Sequence, residues 1–212
     1  LEAESLASLN LRHIDPPKFL IPGMIPYGIT ILASPPKFGK SWMCLDMAIS
    51  VATGTKFMGL DTNKDGVLYL ALEDGDYRLQ ERSRKVANGR ELPENLLLVK
   101  QAPILTDGLL PQISALLNGA EQSIGMIIID TLQKVRGLAG KTEGVYGYDY
   151  RELGQLHQFA LDRNIAVVLV HQIDVHGGAD LVQMGGADVG DGGADDLGAV
   201  HGEGQNTVIR GD

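Results

Sequence analysis

Eight residues from Ser34 to Ser41, with the sequence Ser-Pro-Pro-Lys-Phe-Gly-Lys-Ser, have the composition and spacing of a loop that binds phosphate groups. The pattern of such a phosphate-binding loop is G-x-x-x-x-G-K-[ST], and the last three residues of the segment match it. An apolar, strand-like run (28–33) precedes the loop, and an apolar, helix-like run (42–53) follows it. A strand, a tight loop and a helix N-terminus together direct backbone N–H groups and the helix dipole at an anion. The segment therefore predicts a site for nucleotide phosphates.

Two side chains of this loop carry its chemistry. Lys40 is placed to reach the β- and γ-phosphates as a binding and catalytic group, and the Ser41 hydroxyl is placed to coordinate Mg²⁺. Ser34 departs from the pattern, because glycine at that position permits unusual backbone angles, and the two following prolines partly compensate by stiffening the loop. The alternative is a surface loop that contains Gly-Lys-Ser by chance. The predicted nucleotide-binding residues here are Ser34, Pro35, Pro36, Lys37, Phe38, Gly39, Lys40, Ser41 and Trp42.

Acidic residues follow two other strand-like runs. Asp130 comes after four aliphatic residues, and Glu73 ends the run 66–72. In a parallel sheet the carboxyl ends of the strands converge on one crevice, so Asp130 is expected near Ser41, where it would hold Mg²⁺. Glu73 is expected to polarise the attacking water. The alternatives are an aspartate that caps the next turn and a solvated glutamate.

A third strand-like run, 165–170, ends at His171 and Gln172. Polar side chains at this place could contact the γ-phosphate of a nucleotide and pass the signal to a neighbouring surface. A histidine that is simply satisfied at a strand end is the equal alternative.

Basic residues cluster around one predicted helix, and two more follow Asp130. A solvated face paired with acids is the main interpretation of the cluster, and contact with nucleic acid is the alternative. The pair after Asp130 could include an arginine finger that acts on an adjacent subunit. The cluster is Arg78, Arg82, Arg84, Lys85 and Arg90, and the pair is Lys134 and Arg136.

Strand-like and helix-like runs alternate through the middle of the chain. The apolar runs predict strands at 29–33, 66–72, 96–99, 125–130 and 165–170. Helices are predicted at 41–53, 76–87, 109–120 and 149–163, the last with a D-x-x-E cap at Asp149, after a glycine-rich loop from about 134 to 148. This order predicts an α/β fold whose mostly parallel sheet has helices on both faces.

Three segments are predicted: a proline-rich lead-in (1–26), an α/β core (27–173) and a Gly/Asp-rich tail (174–212). The tail carries seven Asp, one Glu, one Arg and no Lys, a net charge of −7, so the other 173 residues carry only −2 of the total −9. The tail is too poor in large apolar residues to order itself, unless a partner orders it; a sequence error or a calcium-binding repeat are further alternatives.

The remaining composition points to a soluble, cytoplasmic protein. There is no run of 18 apolar residues and no signal peptide, so no membrane association is expected. The single Cys44 indicates no disulfide framework and a reducing compartment, and its apolar surroundings predict a role in core packing. Because the chain begins at Leu1 rather than Met, we expect a fragment or a trimmed chain.

The motifs together resemble the RecA-like ATPases of the RepA/DnaB hexameric replicative helicase group, the AAA-domain proteins of phages and plasmids. The resemblance covers about 17–172. It rests on the loop and its preceding turn (21–28 and 35–42), on Tyr-Leu-Ala-Leu-Glu-Asp at 69–74, on Ile-Ile-Asp-Thr-Leu at 128–132 and on Leu-Val-His-Gln at 169–172. It implies a P-loop NTPase core that hydrolyses ATP with Mg²⁺ between the subunits of a hexameric ring.

The resemblance further implies Glu73 as the catalytic glutamate, Asp130 as the aspartate on the Mg²⁺ side, and His171 and Gln172 as the pair that senses the γ-phosphate. Single-stranded DNA is the implied partner. The tail does not match the DNA-contacting region with which the family continues. Two alternatives therefore stay open: a RecA-like recombinase or regulatory ATPase switch without unwinding, and a truncated nucleotide-binding module without turnover.

Overall fold

The computed structural model describes residues 3–137 and 145–173, with side chains described for all of these except 145–152. Its first elements are a six-residue helix, α1 (Leu6–Leu11), and an antiparallel hairpin of two short strands, β1 (Phe19–Ile21) and β2 (Ile25–Pro26). Four prolines between residues 16 and 26 permit only short elements here, because proline cannot donate a backbone hydrogen bond.

Five parallel strands form the central sheet. Every neighbouring pair is parallel, and the order across the sheet is β3–β7–β6–β4–β5. The three inner strands are buried along almost their whole length, which explains why they are continuous apolar runs. The strands are β3 (Gly28–Ser34), β4 (Gly66–Ala71), β5 (Leu96–Val99), β6 (Ile124–Asp130) and β7 (Ala166–Gln172).

Helices lie on both faces of this sheet, which confirms the predicted α/β fold. Alternate residues of β4 point to opposite faces: Val67 and Tyr69 join a core cluster with α2 and α3, whereas Leu68 and Leu70 line a cavity with Ile113 of α4. A one-turn 3-10 helix, Leu105–Asp107, precedes α4. The helices are α2 (Lys40–Thr53), α3 (Asp76–Ala87), α4 (Leu109–Gly119), α5 (Leu132–Val135) and α6 (Val145–Arg163).

The helix α2 is the centre of the larger core cluster, as its apolar sequence predicts. Nine of its residues are buried, among them Cys44, whose thiol pKa is raised well above its usual range by burial. Such a thiol is inert, so Cys44 is a packing residue. Leu20, Ile21 and Ile25 of the hairpin pack in the same cluster, so part of the predicted lead-in contributes to the core. The division of the chain at residue 27 itself stays a prediction.

Two local predictions were wrong. The helix α6 begins at Val145, so Asp149 lies inside the helix and is not its N-cap. No proline occurs between 145 and 163, so nothing in the covalent chemistry stops the helix from extending toward its N-terminus. The predicted loop from 134 is also shorter, because Lys134 lies in α5. The tail predictions for 174–212 lie outside the described residues. Within the described chain, no helix has the length and apolarity needed to cross a bilayer.

Candidate nucleotide site

The phosphate loop connects β3 directly to α2. Ser34 ends the strand, the residues 36–39 are exposed, and Gly39 caps the helix in the left-handed conformation with φ of 79°. A Cβ added at Gly39 would meet nothing within 4 Å, so glycine is needed there for its backbone angle and not for space. Lys37 also adopts a positive φ, of 69°, which is uncommon for a residue with a side chain and marks a tight bend.

Lys40 is folded back over this loop. Its ammonium donates hydrogen bonds to the backbone oxygens of Ser34 (2.6 Å) and Pro35 (2.7 Å) and to the Ser34 hydroxyl (3.0 Å). Only 8% of Lys40 is exposed, and this burial lowers the pKa of its ammonium, against the opposing charges of Asp130 and Glu73. The serine that replaces glycine in the loop pattern therefore supplies an additional acceptor for this lysine.

The N-terminus of α2 presents backbone N–H groups to the same place. The first bond within the helix is donated by the Met43 N–H to the Gly39 oxygen (3.0 Å), so the N–H groups of residues 40–42 precede the regular helical pattern. Lys40 and Ser41 begin the helix here, as the loop pattern predicts. By contrast, the side chains of Phe38 (70% exposed) and Trp42 (39% exposed) lie at the surface of the site.

Strand register brings the separate sequence motifs to one edge of the sheet. Ser34 pairs with Gln172 across β3 and β7, and Asp130 pairs with Val170 across β6 and β7 and with Ala71 across β6 and β4. Because these strands are parallel and in close register, their carboxyl ends lie side by side. Glu73 follows β4 by two residues at the same edge.

Asp130 is a buried carboxylate, with 4% of the residue exposed. Its Oδ2 accepts a hydrogen bond from the buried Tyr69 hydroxyl (2.8 Å), whereas its Oδ1 has no hydrogen-bond partner among the described residues. Burial raises the pKa of Asp130, as do the nearby charges of Glu73 and Asp74. The nearby hydroxyls of Ser41 and Tyr69 lower the pKa of Asp130. The Ser41 hydroxyl lies close to the carboxylate but does not form a full hydrogen bond with Oδ1.

Glu73 is oriented through both of its oxygens. The Thr131 hydroxyl donates to Oε1 (3.0 Å), and the Gln172 amide donates a longer bond to Oε2 (3.4 Å). The Gln133 amide lies 3.0 Å from Nδ1 of His171 and donates to the backbone oxygen of Gln172 (3.1 Å). Glu73 is therefore bonded directly to Gln172, and the segment that follows Asp130 contacts both Glu73 and the His171-Gln172 pair.

Three residues of this network are absent from the sequence predictions. Tyr69 lies between two leucines inside a strand, a pattern that also describes an ordinary core aromatic. Thr131 and Gln133 follow Asp130 closely, and that proximity was the one signal that could have indicated them. Long-range pairs such as Gln172 with Glu73, 99 residues apart, follow from strand order and not from a local pattern.

The residues present fit a Mg²⁺ ion bound together with phosphates. An unpartnered, buried carboxylate oxygen beside a serine hydroxyl offers the hard oxygen ligands that Mg²⁺ prefers. Within the described residues, no group of three or more His, Cys, Asp or Glu could hold a metal by itself. Mg²⁺ is usually bound by one or two protein carboxylates together with water and phosphate oxygens.

The basic cluster is largely paired with acids, which supports the solvated-face interpretation. Arg82 and Arg78 both pair with Asp74, Lys85 pairs with Glu81 (2.6 Å), and Arg90 pairs with Asp46 (2.7 Å). Lys134 lies in α5 and Arg136 is the C-cap residue of that helix. A role for either of them as an arginine finger stays a prediction.

Comparison with solved structures identifies a protein with a similar fold. A structure described as that of a DnaB-like replicative helicase, studied for its interactions with primase, superposes with a TM-score of 0.53 at 14% identity. The match covers 72% of this chain and 40% of the helicase chain, so the present chain spans well under half the length of that relative. A search of curated proteins found no significant match. The similarity confirms the RecA-like P-loop fold.

The family model described as "AAA domain" matches residues 2–178, which is most of the chain and includes every strand and helix of the site. The family and the fold agree with the resemblance drawn from the motifs. The chain belongs to the AAA domain family of P-loop proteins.

Proposed function

We propose that this chain is the Mg²⁺-dependent, ATP-binding and ATP-hydrolysing motor domain of a replication helicase that acts on DNA. The observation that carries the proposal is the convergence of the phosphate loop, Asp130 and Glu73 at one edge of the sheet. Membership of the AAA domain family supports nucleotide binding. The similarity to a DnaB-like replicative helicase supports the motor assignment.

Nucleotide binding is assigned to the loop and the first turn of α2. In this structure the Lys40 ammonium donates to backbone oxygens of its own loop. It would therefore lie close to a phosphate that the loop surrounds. The backbone N–H groups at the start of α2 and the helix dipole add further attraction for an anion. Ser41 and Asp130 would hold Mg²⁺, which would supply charge neutralisation on the phosphates.

Hydrolysis is assigned to Glu73. A carboxylate held at both oxygens by Thr131 and Gln172 has a fixed direction, which a group that orients water and accepts its proton requires. The same Gln172 lies beside His171. A change in the contacts of this pair with a γ-phosphate would therefore alter the hydrogen bond from Gln172 to Glu73. These assignments give each motif a role in one reaction, the transfer of a phosphoryl group from ATP to water.

The wider features of the proposal rest on family resemblance and fold. They are assembly into a homo-hexameric ring, translocation on single-stranded DNA and a cytoplasmic location. A RecA-like regulatory switch that uses ATP without unwinding would have the same site, so only activity measurements separate the two.

Steady-state ATP hydrolysis with Mg²⁺, measured with and without single-stranded DNA, tests the proposal. The variant Lys40→Ala is the blank, and we expect its affinity for ATP to fall by about 100-fold or more, because it loses the charge that faces the phosphates. Lys56→Ala is the matched control, because Lys56 is an exposed lysine that pairs with Asp61 and lies beyond the C-terminal end of α2. Normal ATP affinity in Lys40→Ala would contradict the loop assignment.

Three outcomes distinguish the candidate functions. Turnover that rises with DNA supports the replication motor. Turnover that is indifferent to DNA favours a regulatory ATPase. ATP binding without turnover in either condition contradicts the hydrolytic assignment and favours a truncated nucleotide-binding module.

A further inference from the structure

The turn that carries Glu73 is tied to the phosphate-loop helix by three side chains, of which only Trp42 belongs to the predicted nucleotide-binding segment. Asp74, which follows Glu73, has a side chain only 9% exposed and pairs with the guanidinium of Arg82 on α3. The same guanidinium lies over the indole ring of Trp42, with 5.4 Å between Cζ and the ring centroid. Trp42 is in the first turn of α2, next to Ser41.

We propose that Asp74, Arg82 and Trp42 act as a positioning bridge, which fixes the Glu73 carboxylate relative to the phosphate loop. The inference rests on the proposed ATPase function and adds three positioning residues to it. None of the three side chains needs to touch the reacting atoms. Each acts through the turn that follows β4 or through the start of α2.

The backbone around Glu73 shows why such a bridge is needed. The Leu72 N–H donates to the backbone oxygen of Asp130 (2.8 Å), and the backbone oxygen of Gly75 accepts from the Leu79 N–H (3.0 Å). Between these two anchors, the buried Asp74 side chain fixes the turn through ionic hydrogen bonds to α3. Charge-assisted bonds of this kind are about twice as strong as neutral ones, so they can hold a short turn in one geometry.

Arginine suits the middle position of the bridge because its planar guanidinium can donate to a carboxylate from its edge and lie over an aromatic ring with its face. Arg82 is 19% exposed at its side chain, compared with 63% for Arg78, the second partner of Asp74. The more buried arginine is therefore the structural link, and Arg78 is a solvent-facing partner of the same carboxylate. Arg82 also neutralises an acidic charge adjacent to Glu73 and Asp130.

The chain contains a single tryptophan, so the bridge has its own spectroscopic reporter. The Arg82 guanidinium shields one region of the Trp42 ring from water. Replacing it with a smaller neutral group should shift the tryptophan emission to longer wavelength. This readout reports on the bridge itself, independently of ATP turnover.

The test compares Arg82→Gln, Arg82→Lys and the control Arg84→Gln in the full 212-residue chain. Arg84 lies on the same helix and is exposed, so its replacement matches the chemistry without touching the bridge. For Arg82→Gln we expect kcat for ATP hydrolysis to fall by about tenfold, a change of less than about threefold in ATP affinity, and a red shift of Trp42 emission. Arg82→Lys, which keeps the charge but loses the planar contact, should be intermediate, and Arg84→Gln should resemble the wild type.

Three contrary outcomes are distinguishable. Wild-type turnover combined with an unchanged kcat in Arg82→Gln overturns the bridge while leaving the proposed function in place. A wild-type chain that does not hydrolyse ATP overturns the proposed function, and the bridge with it. Equal losses of kcat and ATP affinity in Arg82→Gln would show a general structural effect and would also overturn the positioning role.

Discussion

Glu73 differs from the other acidic residues of the site because two side-chain donors hold it, one that directly follows β6 and one at the end of β7. Thr131 and Gln172 each bond to one of its oxygens. We expect Glu73→Gln to bind ATP with nearly the wild-type affinity and to hydrolyse it about 100-fold more slowly or worse, because the amide cannot accept a proton from water. Single-turnover kinetics alongside a binding isotherm would measure the two effects separately.

Glu81→Gln is the matched control for this prediction, because Glu81 is an exposed glutamate on α3 whose partner is Lys85. We expect its kinetics to be unchanged. Wild-type turnover in Glu73→Gln would exclude Glu73 as the base.

Asp130 carries a charge that the fold tolerates at a cost. Burial raises the pKa of Asp130 above its value in the unfolded chain. The native state therefore loses stability as the pH rises from the pKa of the unfolded chain through that of the folded one. We expect Asp130→Asn to abolish Mg²⁺-dependent turnover and yet to raise Tm at neutral pH. The rise should be about 2–4 °C, or about 1 kcal/mol for a domain of this size.

The sign of the pH dependence makes the Asp130 prediction specific. The stabilisation in Asp130→Asn should shrink as the pH is lowered through the raised pKa and vanish where the wild-type carboxyl is protonated in both states. Thermal unfolding across a pH series measures it. Asp61→Asn, an exposed aspartate paired with Lys56, should show no such trend. A lower Tm for Asp130→Asn at neutral pH would contradict the account.

At this scale the sequence predicted most of the residues that meet at the sheet edge. Loop spacing indicated Lys40 and Ser41, and strand ends indicated Glu73, Asp130 and the His171-Gln172 pair. It did not indicate Tyr69, Thr131 or Gln133, whose roles depend on which strand lies beside which. The pairing of Lys40 with Ser34 was also unforeseen, because an extra hydroxyl in the loop has no sequence signature.

Among the elements, β4 and β6 approach closely at their amino ends, where the register of the two strands shifts between Gly66 and Val67. A Cβ added at Gly66 would lie 2.2 Å from the backbone oxygen of Ser123, a contact that only backbone movement could relieve. We therefore expect Gly66→Ala to lower the free energy of unfolding by about 2–4 kcal/mol, as other severe steric conflicts in a core do. Denaturant unfolding would measure the loss.

Gly119→Ala provides the control for Gly66→Ala. Gly119 ends α4, and a Cβ there would meet nothing within 4 Å. Alanine should leave stability unchanged or raise it by up to about 1 kcal/mol, because glycine lowers helix propensity. Equal stability losses in the two variants would contradict the steric argument at Gly66.

Sequence periodicity predicted the strands and most helices. Buried strands are continuously apolar, and surface helices carry apolar residues every three to four positions. It failed where two signals compete. The D-x-x-E pattern at Asp149 looks like a helix start but lies within α6, since the helix can continue past any residue that is not proline. The hairpin was treated as a lead-in because its prolines suggested irregular chain, whereas its apolar residues pack against α2.

For the molecule as a whole, three of the described arginines are paired within their own chain. Arg78, Arg82 and Arg90 are each engaged with an acid of their own chain. If subunits of a ring complete one another's sites, equal amounts of wild-type chain and Lys40→Ala should give less than half of the wild-type rate. A strictly proportional rate would contradict shared sites. Light scattering on the same mixtures would establish whether the two chains co-assemble.

The strand order sets how late in synthesis the proposed nucleotide site is completed. The strand β7 comes last among the five strands in sequence, yet it lies between β3 and β6, and within the described sheet it is the neighbour that joins β3 to the rest. A nascent chain that has not yet delivered residue 172 would carry its phosphate loop on a strand without its sheet partner and Glu73 without its amide donor. The proposed nucleotide site would therefore be completed only late in synthesis, when β7 is added between β3 and β6.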